Sequence, residues 1–312
     1  MMNILKAQQF DKPFLNELFS AAYLMKLTNK IPEISIKRPV MASLFYEPST
    51  RTRFSFEAAM IKLGGHVLST ENAEQFSSAA KGEILEDTIR VVSEYSDVIV
   101  LRHSDEGSAE RAASVSSIPI INAGDGAGQH PTQSLIDLYT IEDECGGIEG
   151  KRIALIGDLS HGRTIHSLAY LLTKYDIGHI YLVAPKFVQM KPELISHFDE
   201  HGISWSTCHR LKDIASEVDV FYQTRLQKER FRSETFEIIE KYQKIAHRFK
   251  IDGSVLKLMK PDARILHPLP RLGEIAIEVD SDPRAAYFRQ AQNGLYIRMA
   301  LLQRVLQREY QI

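Results

Sequence analysis

Short apolar runs rich in β-branched and aromatic residues recur along this chain, most of them followed by a longer stretch of helical periodicity. That alternation limits the fold more than any other feature. The runs are MASLFYE (41–47), HVLST (66–70), DVIVLR (97–102), IPIINA (118–123), RIALIG (152–157), HIYLVA (179–184), VDVFYQ (218–223) and RILHPL (264–269). Strands that are apolar on both faces and alternate with helices build parallel sheets covered on either side. The paired glycines of ECGGIEGK (144–151) come after the helical stretch PTQSLIDLYTIEDE and mark a break, and two domains suit a chain of 312 residues. The fold class expected is therefore α/β, with two domains at 1–145 and 146–283, each a parallel β-sheet flanked by helices. From Pro283 onward the sequence reads as helix, and residues 284–312 are expected to cross back and complete the first domain.

The residues at the end of each strand carry the chemistry. LFYE runs into Ser49, Thr50, Arg51 and Thr52, VIVL into Arg102 and His103, and IINA into Gly124, Asp125 and then His130. ALIG runs into Asp158 and Arg163, VFYQ into Thr224 and Arg225, and RIL into His267, Pro268, Leu269, Pro270 and Arg271. Ligands of open α/β sheets bind outside the carboxyl ends of strands. Polar residues at six such ends, shared by two domains, predict an active site in the interdomain cleft.

FYEPSTRTRF (45–54) poses a local problem. Its turn and cap residues place Arg51 and Arg53 in the first turn of a helix, where unpaired N–H groups and the macrodipole disfavour cations. An anion removes the conflict, because the helix N-terminus, Arg51 and the hydroxyls of Ser49, Thr50 and Thr52 together form a phosphate cradle. Arg53 is equally well explained by a carboxylate such as Glu47 or Glu57. In NAGDGAGQHPTQ (122–133), His130 and Gln133 share a helix face, suited to a carbonyl oxygen and an amide-like group. Arg163, in GDLSHGRT, also opens a helix and suits a carboxylate or phosphate.

Thirty-eight Lys and Arg against forty Asp and Glu leave a net charge of −2, which gives no global reason to bind nucleic acid or an anionic membrane. The apolar runs are too short to cross a bilayer, and MMNILKAQQF lacks a signal-type apolar core, so a cytoplasmic location is expected. Cys145 and Cys208 lack metal or disulfide spacing and read as structural.

FYEPSTRTRFSFEAAMIKLGG, SSAAKGEILEDTI, NAGDGAGQHPTQSLIDLYTI, GDLSHGRTIHSLAYLL, TRLQKERF and HPLPR occur in that order. Together they resemble the catalytic chains of the aspartate carbamoyltransferases, within the wider aspartate and ornithine carbamoyltransferase superfamily, over roughly residues 40 to 305. STRTR and HPTQ are common to the superfamily, whereas TRLQKER and HPLPR are similar to the aspartate enzymes only. The resemblance implies transfer of the carbamoyl group of carbamoyl phosphate to the α-amine of L-aspartate, the committed step of de novo pyrimidine biosynthesis, with no cofactor and no metal. An ornithine-type enzyme or a non-catalytic anion-binding homologue is the alternative.

By the same resemblance, Ser49, Thr50, Arg51 and Thr52 hold the phosphate, and Thr52, Arg102 and His130 polarise the carbonyl oxygen. Donors of that kind are worth ~3–4 kcal/mol each on truncation. Gln133 and the backbone carbonyls of Leu269 and Pro270 read the carbamoyl NH₂, at a Leu269–Pro270 bond expected to be cis. Arg163, Arg225 and Gln227 take the aspartate carboxylates. Ser77 and Lys81 are supplied by the adjacent subunit of a homotrimer with shared sites, and the resemblance allows two trimers to join with regulatory chains. Glu47 is implied to pair with Arg163 and Arg230 on domain closure. Ala79, Ala80, Ser160, His161 and Gly273 depart from common members of the family; none is a substrate contact.

Two other readings fit shorter stretches. IALIGDLSHG keeps Gly157 and Gly162 of a dinucleotide fingerprint but has Leu159 at the middle glycine. HFDEH (197–201) matches an inverted zinc motif through His197, Glu200 and His201, but Gly202 comes immediately after and puts both histidines in a last helical turn.

Overall fold

Four of the expected runs pair in parallel in the first part of the chain. These are β1 (Val40–Phe45), β2 (His66–Glu71), β3 (Val98–His103) and β4 (Ile120–Asp125), in the order β2-β1-β3-β4. The structure is a computed structural model that describes residues 1–28, 34, 36–72, 82–126, 128–227 and 235–307. Successive side chains of a strand face opposite ways, so Ala42, Leu44, Ile99 and Leu101 point to one side of this sheet. There they pack with Leu85 and Ile89 of the helix Leu85–Ser93 and with Ala112 of the helix Ser108–Val115. Phe56, Ala59 and Met60 are buried residues of the helix Thr50–Lys62 that joins β1 to β2.

Five strands form a second parallel sheet, β5 (Arg152–Ile156), β6 (His179–Val183), β7 (Trp205–Cys208), β8 (Val220–Gln223) and β9 (Arg264–Leu266), in the order β7-β6-β5-β8-β9. Ala154, Ile156, Phe221 and Ile265 lie fully buried in its core with Val183, Val218 and Tyr287. Strand β7 has no counterpart among the eight apolar runs. As an edge strand of mostly half-buried residues, it needs no continuous apolar sequence. Helices between the strands start where the sequence permits, with Pro131 and Pro192 at first helical positions, where a missing N–H costs nothing.

The two compact units are Met1–Leu135 with Gln292–Ile312, and Ile136–Ala291. The chain turns at Gly146 and Gly147, yet the preceding helix Pro131–Cys145 joins the second unit from Ile136 onward. Asp137 shows why: its carboxylate, fully buried, accepts from the Tyr222 hydroxyl and from Gln290 Nε2, both at 2.6 Å. In the first unit the helix Tyr287–Leu306 is tied down at Asn293, whose Oδ1 accepts from Lys26 Nζ at 3.1 Å. Arg298 also lies over the Phe56 ring at 4.8 Å.

Gly157, just past β5, has φ +113°, and a Cβ there would sit 2.3 Å from the Thr224 carbonyl oxygen. Thr224 in turn bonds Ile156 O through its N–H at 2.8 Å and its hydroxyl at 3.0 Å. Strands β5 and β8 can approach this closely only over a glycine. Gly157→Ala is therefore expected to cost about 2–4 kcal/mol through overpacking and a disfavoured backbone angle, read by thermal melting; a melting temperature equal to the parent's would refute it.

Candidate active site

In a parallel sheet all carboxyl ends lie along one edge, and ligands settle where the strand order reverses direction. In the first sheet that reversal lies between β1 and β3. Strand β1 leads to Ser49, the N-cap of the helix Thr50–Lys62, and β3 carries Arg102 in register with Phe45. The Ser49 side chain makes no capping bond, and the acidic residues that normally favour a first turn are absent. Thr52 is buried, and Arg51 is exposed beside it.

The two arginines of STRTR separate here. Arg53 turns back to β2, with Nη2 2.7 Å from Glu71 and Nη1 3.8 Å from Glu57. Its carboxylate partners account for it, and Glu71 is one that sequence alone did not suggest.

Arg102 is buried, donates to the Ala123 carbonyl at 3.3 Å and lies 2.5 Å from Glu47. Glu47 thus pairs with Arg102 within the first unit; of its two implied partners, Arg163 and Arg230, the latter is outside the described residues, as are Ser77 and Lys81. Past β4, the Asp125 carboxylate accepts from Gln129 N at 2.8 Å and Gly107 N at 3.2 Å, which shapes the glycine-rich turn ahead of His130. His130 is buried directly before the helix Pro131–Cys145, and its carbonyl accepts from Gln133 N at 3.1 Å. Ser49 to Thr52, Arg102, His130 and Gln133 thus lie at or just past the carboxyl ends of three adjacent strands of one sheet.

In the second sheet the reversal lies between β5 and β8, with Ile156 in register with Gln223. Asp158, fully buried, organises both strand ends. It accepts from Ser160 Oγ at 3.1 Å, from His161 N at 3.0 Å and Nδ1 at 3.2 Å, and from Gln227 N at 3.2 Å. Burial pushes its carboxyl up, but the hydrogen bonds and charge of His161 and the N–H donors outweigh that and hold it below its ordinary value. Ser160 and His161 thus anchor this loop. Arg163 is buried as the first residue of the helix Arg163–Leu172, whereas Arg225 and Gln227 are half-buried after β8.

The third loop of this edge comes after β9. His267 is buried, its Nδ1 accepts from the Leu269 N–H at 2.7 Å, and its Nε2 lies 2.7 Å from Glu274. Because Nδ1 accepts, the proton sits on Nε2 and is donated to the carboxylate. Glu274 also accepts from Leu272 N at 2.9 Å. Burial holds the His267 pKa below its ordinary value against the opposing pull of Glu274. Leu269 is held at φ +57°, and the Leu269–Pro270 bond is cis. Glu274 was missed from sequence, since a lone acid seven residues past His267 carries no spacing signal.

The chain matches the family model for the aspartate/ornithine carbamoyltransferase carbamoyl-P binding domain over residues 2–143. It matches the Asp/Orn binding domain of the same family over 149–305. Aspartate carbamoyltransferase 2, chloroplastic, of Pisum sativum is 55% identical over 97% of this chain and 78% of its own length. The chloroplastic enzyme of Oryza sativa subsp. japonica is 53% identical over 97% of this chain and 85% of its own. The aspartate transcarbamoylase of Trypanosoma cruzi, solved with carbamoyl aspartate and phosphate, superposes with a TM-score of 0.91 at 42% identity, covering 97% of this chain and 95% of that one.

These relatives overturn the expected cytoplasmic location, because both the Pisum sativum and the Oryza sativa enzymes are named as chloroplastic. The expectation rested on the absence of an apolar leader, which does not bear on plastids, whose transit peptides are amphipathic. Among the described residues no helix is long and apolar enough to cross a membrane. With both halves matched and whole-chain identity above one half, this chain belongs to the aspartate/ornithine carbamoyltransferase family.

Proposed function

We propose that this chain transfers the carbamoyl group of carbamoyl phosphate to the α-amine of L-aspartate, yielding N-carbamoyl-L-aspartate and phosphate for pyrimidine synthesis. One observation carries the reading. Each sheet reverses its strand order at a point flanked by cationic and hydroxyl groups, Ser49 to Thr52 with Arg102 in one, Arg163 with Arg225 in the other. A dianionic phosphate and a dicarboxylate are the ligands such sets accommodate.

In this proposal the phosphate takes the N–H groups of the helix Thr50–Lys62 with Ser49, Thr50, Arg51 and Thr52. Arg102, Thr52 and His130 donate to the carbamoyl oxygen, and Gln133 with the carbonyls of Leu269 and Pro270 reads the NH₂. Arg163, Arg225 and Gln227 hold the aspartate carboxylates. The amine then attacks the carbamoyl carbon, negative charge grows on the oxygen, and the C–O bond to phosphate breaks as the tetrahedral species collapses. The departing phosphate takes the amine proton. Positioning and oxyanion stabilisation supply the rate. Glu47, ion-paired to Arg102, must share or yield that guanidinium when substrate binds.

The direct test incubates the purified protein with carbamoyl phosphate and either aspartate or ornithine. Carbamoylated product is expected from aspartate alone; product from ornithine alone, or from neither, overturns the reading. A trimer in which Ser77 and Lys81 enter the neighbour's site belongs to the same proposal. Inactive Arg51→Ala and Lys81→Ala proteins, mixed under subunit exchange, are then expected to regain about a quarter of the parental sites. No regained activity would place each site within one chain.

A further inference from the structure

The helix Pro192–Glu200 ends in a cluster that carbamoyl transfer does not use. One ring nitrogen each of His197 and His201 and a carboxylate oxygen of Glu200 lie within 4.8 Å of one another. Positions three and four apart share a helix face, and the two imidazole centroids are 4.1 Å apart at an interplanar angle of 52°.

The hydrogen bonds fix which nitrogen of each ring keeps its lone pair. His201 Nδ1 lies 2.9 Å from the His197 carbonyl, which can only accept, so that nitrogen carries the proton and Nε2 is left as the donor atom for a metal. His197 Nε2 lies 3.2 Å from Thr173 Oγ, whose own proton goes to the Tyr170 carbonyl at 2.9 Å. The Thr173 oxygen therefore accepts from Nε2–H, and His197 keeps its lone pair on Nδ1. One ring N–H pinned to an oxygen acceptor, with the other nitrogen free to ligate, is the arrangement metal-binding histidines adopt.

We propose that His197, Glu200 and His201 form a surface site for a divalent first-row transition ion, with zinc as the natural occupant. Two imidazoles and one carboxylate are zinc-type ligands and leave a fourth position to water. Bonds near 2.1 Å in tetrahedral geometry need ligand atoms about 3.4 Å apart, and the exposed side chains of Glu200 and His201 can close that gap by rotation. The helix lies between parallel strands β6 and β7, so its last turn sits at the sheet edge opposite the carboxyl ends that carry Asp158 and Arg225. The ion is therefore structural: it clamps this turn to the Thr173 turn. Lys174, the nearest cation felt by His197, opposes the ion, and Glu200 favours it.

The full-length protein, stripped with a chelator, is titrated with Zn²⁺ by calorimetry at about pH 7.5. In a parallel titration, Ni²⁺ quenches Trp205, the chain's one tryptophan, whose Nε1 donates to Asp199 beside Glu200 at 2.8 Å. One ion per chain is expected, released by EDTA. His201→Gln and His197→Gln each weaken binding more than tenfold, Thr173→Val weakens it about tenfold by removing the acceptor of the His197 Nε2 proton, and Cys208→Ser leaves it unchanged. Absence of a saturable site, full affinity in the histidine variants, or loss of binding in Cys208→Ser overturns the proposal.

Discussion

Arg51→Ala is expected to lower kcat/KM for carbamoyl phosphate about 10²- to 10³-fold while changing folding stability by no more than about 1 kcal/mol. The two halves of that expectation have separate causes. Arg51 is exposed in the first turn of the helix Thr50–Lys62, where a cation opposes the macrodipole by ~0.3–1 kcal/mol and alanine has the better helix propensity. Contacts of an exposed arginine are worth about as much in the other direction, so the net change in stability is small. Loss of a charge-assisted, bidentate-capable donor to phosphate costs ~3–4 kcal/mol, and each 1.36 kcal/mol is about tenfold in rate.

Arg53→Ala is the contrasting case two residues away. Its guanidinium is held by Glu71 and Glu57, partly exposed ion pairs of the kind worth ~0.2–1 kcal/mol, so a small loss of stability with unchanged kinetics is expected. Steady-state kinetics and melting curves of the two variants separate the roles. Equal kinetic defects in both, or a normal rate in Arg51→Ala, would remove phosphate from Arg51.

The sheets were legible because strands buried on both faces must be apolar at successive positions, and helices must intervene between parallel strands. Seven of the eight runs were visible for that reason; the eighth became β2, a mostly exposed edge strand whose sequence signal is little more than Val67 and Leu68. Strand β7 was not, because a partly exposed edge strand can be built from Trp205, Ser206, Thr207 and Cys208. The site was legible where its chemistry conflicts with local preference, as with a cation at a helix start, or where a glycine-rich turn meets a histidine. It was not legible where function rests on a partner brought near by folding. The pairing of Arg53 with Glu71 spans a strand connection, and Glu274 meets His267 only because the loop after β9 folds back on itself. Asp158 appears in sequence as one polar residue after a strand; its four hydrogen bonds to two loops exist only in three dimensions.

His267 offers the second large effect, on a residue that positions others without touching substrate. Its imidazole stands between the Leu269 N–H and the Glu274 carboxylate, so it fixes the loop whose carbonyls are proposed to read the carbamoyl NH₂. His267→Leu leaves a part-buried N–H and a part-buried carboxylate without that partner, at about 1 kcal/mol for the first and more for the second. The loop is then no longer held at the Leu269 φ of +57°, and kcat/KM for carbamoyl phosphate should fall about 10- to 100-fold, as expected for misplacement of contacts near the chemistry. His267→Asn, whose amide oxygen can occupy the Nδ1 position and accept from Leu269, should recover much of the rate; His267→Gln, which places its polar group farther out, should not. Equal defects in Asn and Gln would reduce His267 to a packing role. The pH dependence has a definite sign. Folding lowers the His267 pKa, so the neutral ring contributes stability that is complete above the unfolded value of about 6.5 and is lost as pH falls toward the folded value. Between about pH 7 and pH 5 the parent should therefore lose more stability than His267→Asn, which has no proton to gain, and chemical denaturation at the two pH values measures the difference.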